Sequence, residues 1–155
     1  MPFLVFSSRL QKLMDEESVS KRKLSIKTQV DRKSITTYLQ GECLPRWEAL
    51  ALIADFFEVS ADYLLGREEE TGYCYRSVCP IEEIPALFVR RLKELMDGKS
   101  LSQTALSKKL HMQQASVSKW LRQKSMPETF VLMDLSDIFD YPVDYFLGRE
   151  QKSSL

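Results

Sequence analysis

The sequence predicts an all-α protein of two tandem five-helix domains joined by a short linker, and three observations carry that prediction. Sliding the chain by 82 residues lays Phe6–Glu68 on Phe88–Glu150 without a gap. Arg9/Arg91, Leu10/Leu92, Leu13/Leu95, Leu24/Leu106, Leu39/Leu121 and Pro45/Pro127 recur in register, and the match ends in ADYLLGRE (Ala61–Glu68) against VDYFLGRE (Val143–Glu150). The period exceeds that of a solenoid unit, so it marks a duplicated domain rather than an array. Within each copy, apolar residues recur at i, i+3 and i+4, the spacing of one helix face. The stretch Ser102–Arg122 reads as two short helices about a tight turn. Leu106 and Leu110 face inward from the first, and Val117, Trp120 and Leu121 give the second one apolar face.

The elements follow in order. Phe6, Leu10, Leu13 and Met14 predict a first helix that fades at the acidic run after Met14. Ser20 caps a second helix over about Lys21–Lys27, its hydroxyl accepting from a free first-turn amide. Asp31 caps a third, which runs to about Gln40 with Ile35, Tyr38 and Leu39 inward and is ended by Gly41 in a left-handed conformation. Pro45 opens a fourth, striped by Trp47, Leu50, Ile53, Ala54 and Phe57, and Ser60 caps a short fifth that stops at Gly66. The second copy repeats the plan over Ala86–Met96, Ser102–Lys109, Gln113–Arg122, Glu128–Phe139 and Pro142–Leu147. The predicted domains are 1–68 and 86–150, with a linker over 69–85, packed in part through Tyr73, Tyr75 and Val78, and a tail over 151–155. Fully extended, that 17-residue linker spans roughly 56–60 Å.

Composition narrows the function. Lys and Arg number 22 and Asp and Glu 22, a net charge of zero that on its face argues against a nucleic-acid partner. The charges are segregated, however: residues 20–46 hold seven basic and two acidic side chains, and 102–128 five and one. The acids gather in 47–70 and 129–150, so each copy has one basic half, and local field rather than net charge governs docking. No apolar run is long enough to span a membrane, and MPFLVF lacks the basic flank of a secretory signal. A cytoplasmic location and no membrane partner are expected. Cys43, Cys74 and Cys79 are an odd set that reads as reduced thiols. With His111 the sole histidine, neither a metal site nor a cofactor is expected. No nucleophile motif or glycine-rich phosphate loop suggests an enzyme.

On the residues of Ser102–Arg122 and their counterparts one period earlier, the sequence resembles the helix-turn-helix of the λ-repressor/Cro-like (XRE-type) family, in two copies. The resemblance implies that the third helix of each copy reads the major groove of double-stranded DNA. The base-reading candidates are then Arg32, Lys33, Thr36 and Thr37 in the first copy and Gln113, Gln114, Ala115, Ser118 and Lys119 in the second. Gln can bond adenine in a bidentate manner, Lys reaches guanine or phosphate, and a small Ala admits a thymine methyl. Lys21, Arg22, Lys23, Gln103, Arg122 and Lys124 are the phosphate candidates. Gln103 matches a Gln that the family often places at the start of its second helix, and Lys21 replaces it in the first copy. The family turn usually carries Gly where this chain has Gln29 and His111, which predicts a strained or rerouted turn. Gln123 replaces Gly41, and polar Thr28 stands for Leu110, predicting looser packing of the first copy.

The function implied is a sequence-specific transcription regulator of bacterial or phage type, acting at the nucleoid, with a repressor favoured. Its two unlike reader helices predict an operator with two unlike half-sites. A homodimer through the fifth helices is the other assembly considered. The alternative is a protein-interaction adaptor that keeps the fold without DNA readout.

Overall fold

The protein is described from a computed structural model over residues 2–69 and 74–152. The first copy consists of α1 (Pro2–Glu16), α2 (Lys21–Thr28), α3 (Arg32–Leu39), α4 (Trp47–Phe57) and α5 (Ala61–Leu64). The second consists of α6 (Ile84–Gly98), α7 (Gln103–Lys109), α8 (Gln114–Leu121), α9 (Thr129–Phe139) and α10 (Val143–Phe146). The only strands among the described residues are β1 (Cys74–Ser77) and β2 (Arg149–Lys152), which pair antiparallel. The all-α, two-copy architecture expected from the repeat is therefore present.

Local chemistry explains why the copies fold alike. Ser20, Ser60 and Ser102 each accept a hydrogen bond from the amide three residues on, at 3.1, 2.9 and 3.1 Å. Left-handed backbone recurs at the 82-residue offset: Ser18 with Ser100, Gln29 with His111, Gly41 with Gln123, Glu58 with Asp140, and Gly66 with Gly148. Gln29 (φ 63°) and His111 (φ 55°) thus follow one path through the turn, without a glycine. For a side chain, that region costs roughly 1–2 kcal/mol, so the expected strain lies in the backbone while the route is kept. Glycine is needed for space at Gly148, where an added Cβ would come within 2.5 Å of Leu87, and at Gly66, where it would meet Val5 at 2.7 Å.

Each copy buries its own apolar stripe: Phe6, Leu10, Leu24, Ile35 and Leu50 in the first, and Phe88, Leu92, Leu106, Val117 and Leu132 in the second. Arg9 lies 4.5 Å over the Tyr63 ring and Arg91 4.4 Å over Tyr145, so the same cation–π contact ties the first helix to the fifth in both. Thr28 is buried but not loosely held. Its hydroxyl donates to Leu24 O at 2.6 Å and accepts from Val30 N at 3.2 Å, which satisfies the polar group in place.

The copies meet through contacts that map onto one another under the repeat. Asp144 accepts from the amide of Ala61 (2.9 and 3.0 Å), and Asp62 accepts from the amide of Val143 (2.9 Å). Arg149 bridges its own Asp144 to Asp55 of the first copy (2.8 Å), while Arg67 bridges its own Asp62 (3.1 Å) to Asp137 of the second. Residue i touching j while the counterpart of j touches the counterpart of i is the signature of a two-fold axis. Here the axis is internal to one chain. Thr129 also donates its hydroxyl to Pro45 O, joining the α3–α4 connection to the start of α9.

Several expectations are corrected. Within the predicted linker, Cys74–Ser77 form a strand, β1, anchored to the first copy by Tyr75 N donating to Glu58 O (3.1 Å) and to the second through β2. Part of the predicted tail is likewise strand, since Gln151 and Lys152 pair with Tyr75 and Cys74. Tyr75 is half-buried as expected, Val78 is exposed, and Tyr73 lies outside the described residues. The helix expected over Ala86–Met96 runs from Ile84, which is buried, to Gly98. Pro45 precedes α4 by two residues, and the Asp31 side chain makes no capping hydrogen bond to α3. The fifth helices pack on each other within the chain, with α5 buried along its length against α10.

Candidate nucleic-acid interface

Each copy packs its second helix against its third, and the inward side chains fix which face of the third is left outside. Ile35 and Tyr38 on α3, and Val117 and Trp120 on α8, are buried. At 3.6 residues per turn this leaves Arg32, Lys33, Thr36 and Thr37 on the outer face of α3. Arg32 and Lys33 are exposed, while Thr36 and Thr37 are half-buried. Thr37 donates its hydroxyl to Lys33 O at 3.0 Å, so only its acceptor capacity faces outward. On α8, Gln114, Ala115 and Lys119 are exposed and Ser118 is half-buried. Gln113 is the N-cap residue of α8, but its side chain makes no capping bond.

The phosphate candidates flank these faces. Lys21, Arg22 and Lys23 form the exposed first turn of α2, and Gln103 opens α7 half-buried. Because Ser20 engages the amide of Lys23, the amides of Lys21 and Arg22 remain outward at the positive end of the helix dipole. Arg122 and Lys124 are exposed just past α8, where Arg122 Nε donates weakly to Ser118 O at 3.4 Å.

The electrostatic contrast with the rest of the molecule is direct. Among the described residues, none of Lys21, Arg22, Lys23, Arg32, Lys33, Lys119, Arg122 and Lys124 forms an ion pair, whereas Arg9, Arg67, Arg91 and Arg149 all do. The outer faces of α3 and α8 therefore carry cations that pair with no acid among the described residues. Free ammonium and guanidinium groups beside amide and hydroxyl groups are what phosphate contact and base-edge hydrogen bonding require.

The sequence reading missed the residues that join the two copies. Asp62 and Asp144 are buried at 3% and 0% exposure, with Arg149 at 2% beside them. Burial, reinforced by the charge of Asp144, pushes the Asp62 carboxyl up to about 7. Burial also raises Asp144, against the pull of Arg149. The signal was in plain sight: Asp55/Asp137, Asp62/Asp144 and Arg67/Arg149 are identical between copies, although a half-buried helix would tolerate many other residues.

The cysteines are poorly placed for redox work. The Cys74 thiol is held up by donating to Glu58 (3.2 Å), and that of Cys79 is held up by burial, so neither is biased toward the reactive thiolate. No group of three or more metal-ligating side chains occurs among the described residues, nor is any helix there long and apolar enough to cross a membrane.

Comparison with known families agrees with the geometry. A family model described as the Cro/C1-type HTH DNA-binding domain matches residues 9–70, and one described as helix-turn-helix matches residues 92–146. No curated protein and no solved structure matches the chain.

Proposed function

Because the chain belongs to the Cro/C1-type helix-turn-helix family, with two tandem copies, we propose that it is a sequence-specific transcription regulator, acting as a repressor. In this reading it seats α3 and α8 in successive major grooves of one duplex. Arg32, Lys33, Thr36 and Thr37 read one half-site, and Gln113, Gln114, Ala115, Ser118 and Lys119 read the other. Lys21, Arg22, Lys23, Gln103, Arg122 and Lys124 hold the phosphates. The carrying observation is the set of exposed, unpaired cations on both outer faces. The reciprocal contacts between copies support half-sites in inverted orientation, and the differing outer faces support half-sites of unlike sequence. In this assembly one chain occupies one operator, and a homodimer through α5 and α10 is not needed.

Selection of the full chain on a random duplex pool tests this. Enrichment of two unlike inverted half-sites centred about 34–36 Å apart is the expected result. With on the order of 6–10 phosphate contacts, affinity should fall by ~10³–10⁵ between 50 and 200 mM salt. A folded protein that enriches no sequence, or a flat salt response, would move the reading to an adaptor that keeps the fold for protein contacts. The neutral net charge is the observation that favours such an adaptor.

A further inference from the structure

The Asp–Arg clasp between the copies is built to a tolerance that packing alone does not demand. Pro142, at the N-cap of α10, has no side chain able to cap that helix, and Asp62 of the first copy accepts from Val143 N in its place. Asp144 reciprocates at α5, accepting from Ala61 N at 2.9 Å with Asp62 N at 3.5 Å. Each carboxylate therefore serves as a helix cap for the other copy, a role that is distance- and angle-dependent. Each is then held from its own side by an arginine that reaches across the axis: Arg149 to Asp55 at 2.8 Å, and Arg67 to Asp137 and to Ser136 Oγ at 3.2 Å. A fully buried ion pair such as Arg149–Asp144 contributes little net stability compared with an apolar isostere. What directional bonds of this kind do supply is a unique relative orientation.

We infer that Asp62, Asp144, Arg67 and Arg149 are positioning residues that set the spacing and rotation of the two reader helices, and hence the half-site spacing the protein accepts. The inference rests on the DNA-reading proposal above. Inserting one base pair between half-sites moves one of them by about 3.4 Å along the duplex and turns it by about 35°. A rigid pair of readers cannot follow that displacement, and loses one half-site's contacts. A pair joined only by a flexible connection can follow, and binds all nearby spacings with a similar, lower effective concentration. The strand β1 also touches both copies and backs one side of the clasp, with Ser77 donating its hydroxyl to Asp55 and Arg149 donating to Tyr75 O at 3.3 Å, while the Asp62–Arg67–Asp137 side stands without it.

The test measures affinity for duplexes carrying the selected operator, the operator with one or two base pairs added or removed between half-sites, and a single half-site. The wild-type chain should show a sharp optimum, losing roughly tenfold or more per base pair of misfit. Asp144→Asn should weaken binding to the native spacing and flatten the dependence, with single half-site affinity unchanged. Arg67→Gln, at the solvent-accessible rim of the clasp, should do the same to a smaller extent and guards against misfolding of the first variant. Retention of the sharp optimum by both variants would overturn the inference, as would parallel loss of single half-site binding. If the wild-type chain discriminates no sequence at all, the DNA reading itself fails, which is a separate and recognisable result.

Discussion

At the outer faces of α3 and α8 the two copies disagree at almost every equivalent position. Arg32 stands against Gln114, Lys33 against Ala115, Thr36 against Ser118 and Thr37 against Lys119. At the axis between the copies the charged residues agree: Asp55 and Asp137, Asp62 and Asp144, and Arg67 and Arg149. A reciprocal interface asks the same chemistry of both partners, since each aspartate accepts and each arginine donates in a contact that its counterpart repeats across the axis. A reader helix answers only to its own half-site. The divergence is thus located where the proposed function would use it, and the identity where the architecture needs it.

The comparison can be broken most severely at the axis. Asp144→Ala leaves the buried Arg149 with a single carboxylate partner at Asp55, and a loss of about 3–5 kcal/mol of unfolding free energy is expected from urea denaturation. Asp137→Ala, on the exposed side of the equivalent contact, should cost only ~0–1 kcal/mol. At the reader faces the expected effect is on recognition rather than stability. Lys33→Ala should reduce discrimination in the first half-site alone, and Gln114→Ala in the second alone, each by about 1–3 kcal/mol for a bidentate or charged base contact. Binding to each half-site, scored separately on mutated operators, reads this out, and equal effects of both variants on both half-sites would contradict the assignment. Lys21→Ala should weaken all sequences alike and lower the salt slope by about 1.

Smaller differences test the shared backbone. Gln123 sits at φ 56° where its counterpart Gly41 has φ 71°. Gln123→Gly should stabilise the chain by up to about 1 kcal/mol in thermal unfolding. The reverse exchange, Gly41→Gln, should be harmful, because it places a side chain on left-handed backbone at φ 71°. The last prediction concerns pH. Asp62 is surrounded by Asp144, Arg67, Glu68 and the amide of Val143, and its carboxyl is raised to about 7 from 3.8. A carboxyl raised in the folded state favours folding fully below its unfolded value and loses that contribution as pH climbs to the folded value. Between about pH 4 and 7 the melting temperature of wild type relative to Asp62→Asn should therefore fall as pH rises, and parallel profiles would contradict the shift.

The helices were legible because their signals are local. Apolar spacing gave the faces of α3 and α8, and Ser20, Ser60 and Ser102 marked helix starts that the structure places within a residue. The turn at Gln29 and His111 was harder to read, since left-handed backbone without glycine leaves no mark in composition; only the repeat of positive φ at both sites shows that the path is kept. The strand β1 escaped notice for a different reason. A four-residue segment whose partner lies some 75 residues away carries no periodicity of its own, and Cys74–Ser77 is strand because Arg149–Lys152 offers it a ladder. The axis was illegible as geometry for the same reason, although its residues were visible as identities.

The internal axis also bears on how the protein would respond to its own abundance. A reader assembled from two separate chains is present in proportion to the square of the chain concentration when the pairing is weak, so dilution dissolves it before the DNA is reached. Here α5 and α10 are covalently parts of one molecule and are already buried against each other. If the chain reads DNA as proposed, no assembly threshold stands between its synthesis and occupancy of a site. On the DNA-reading proposal, occupancy should track chain number with a Hill slope of about 1, so that even a few copies would act as independent units.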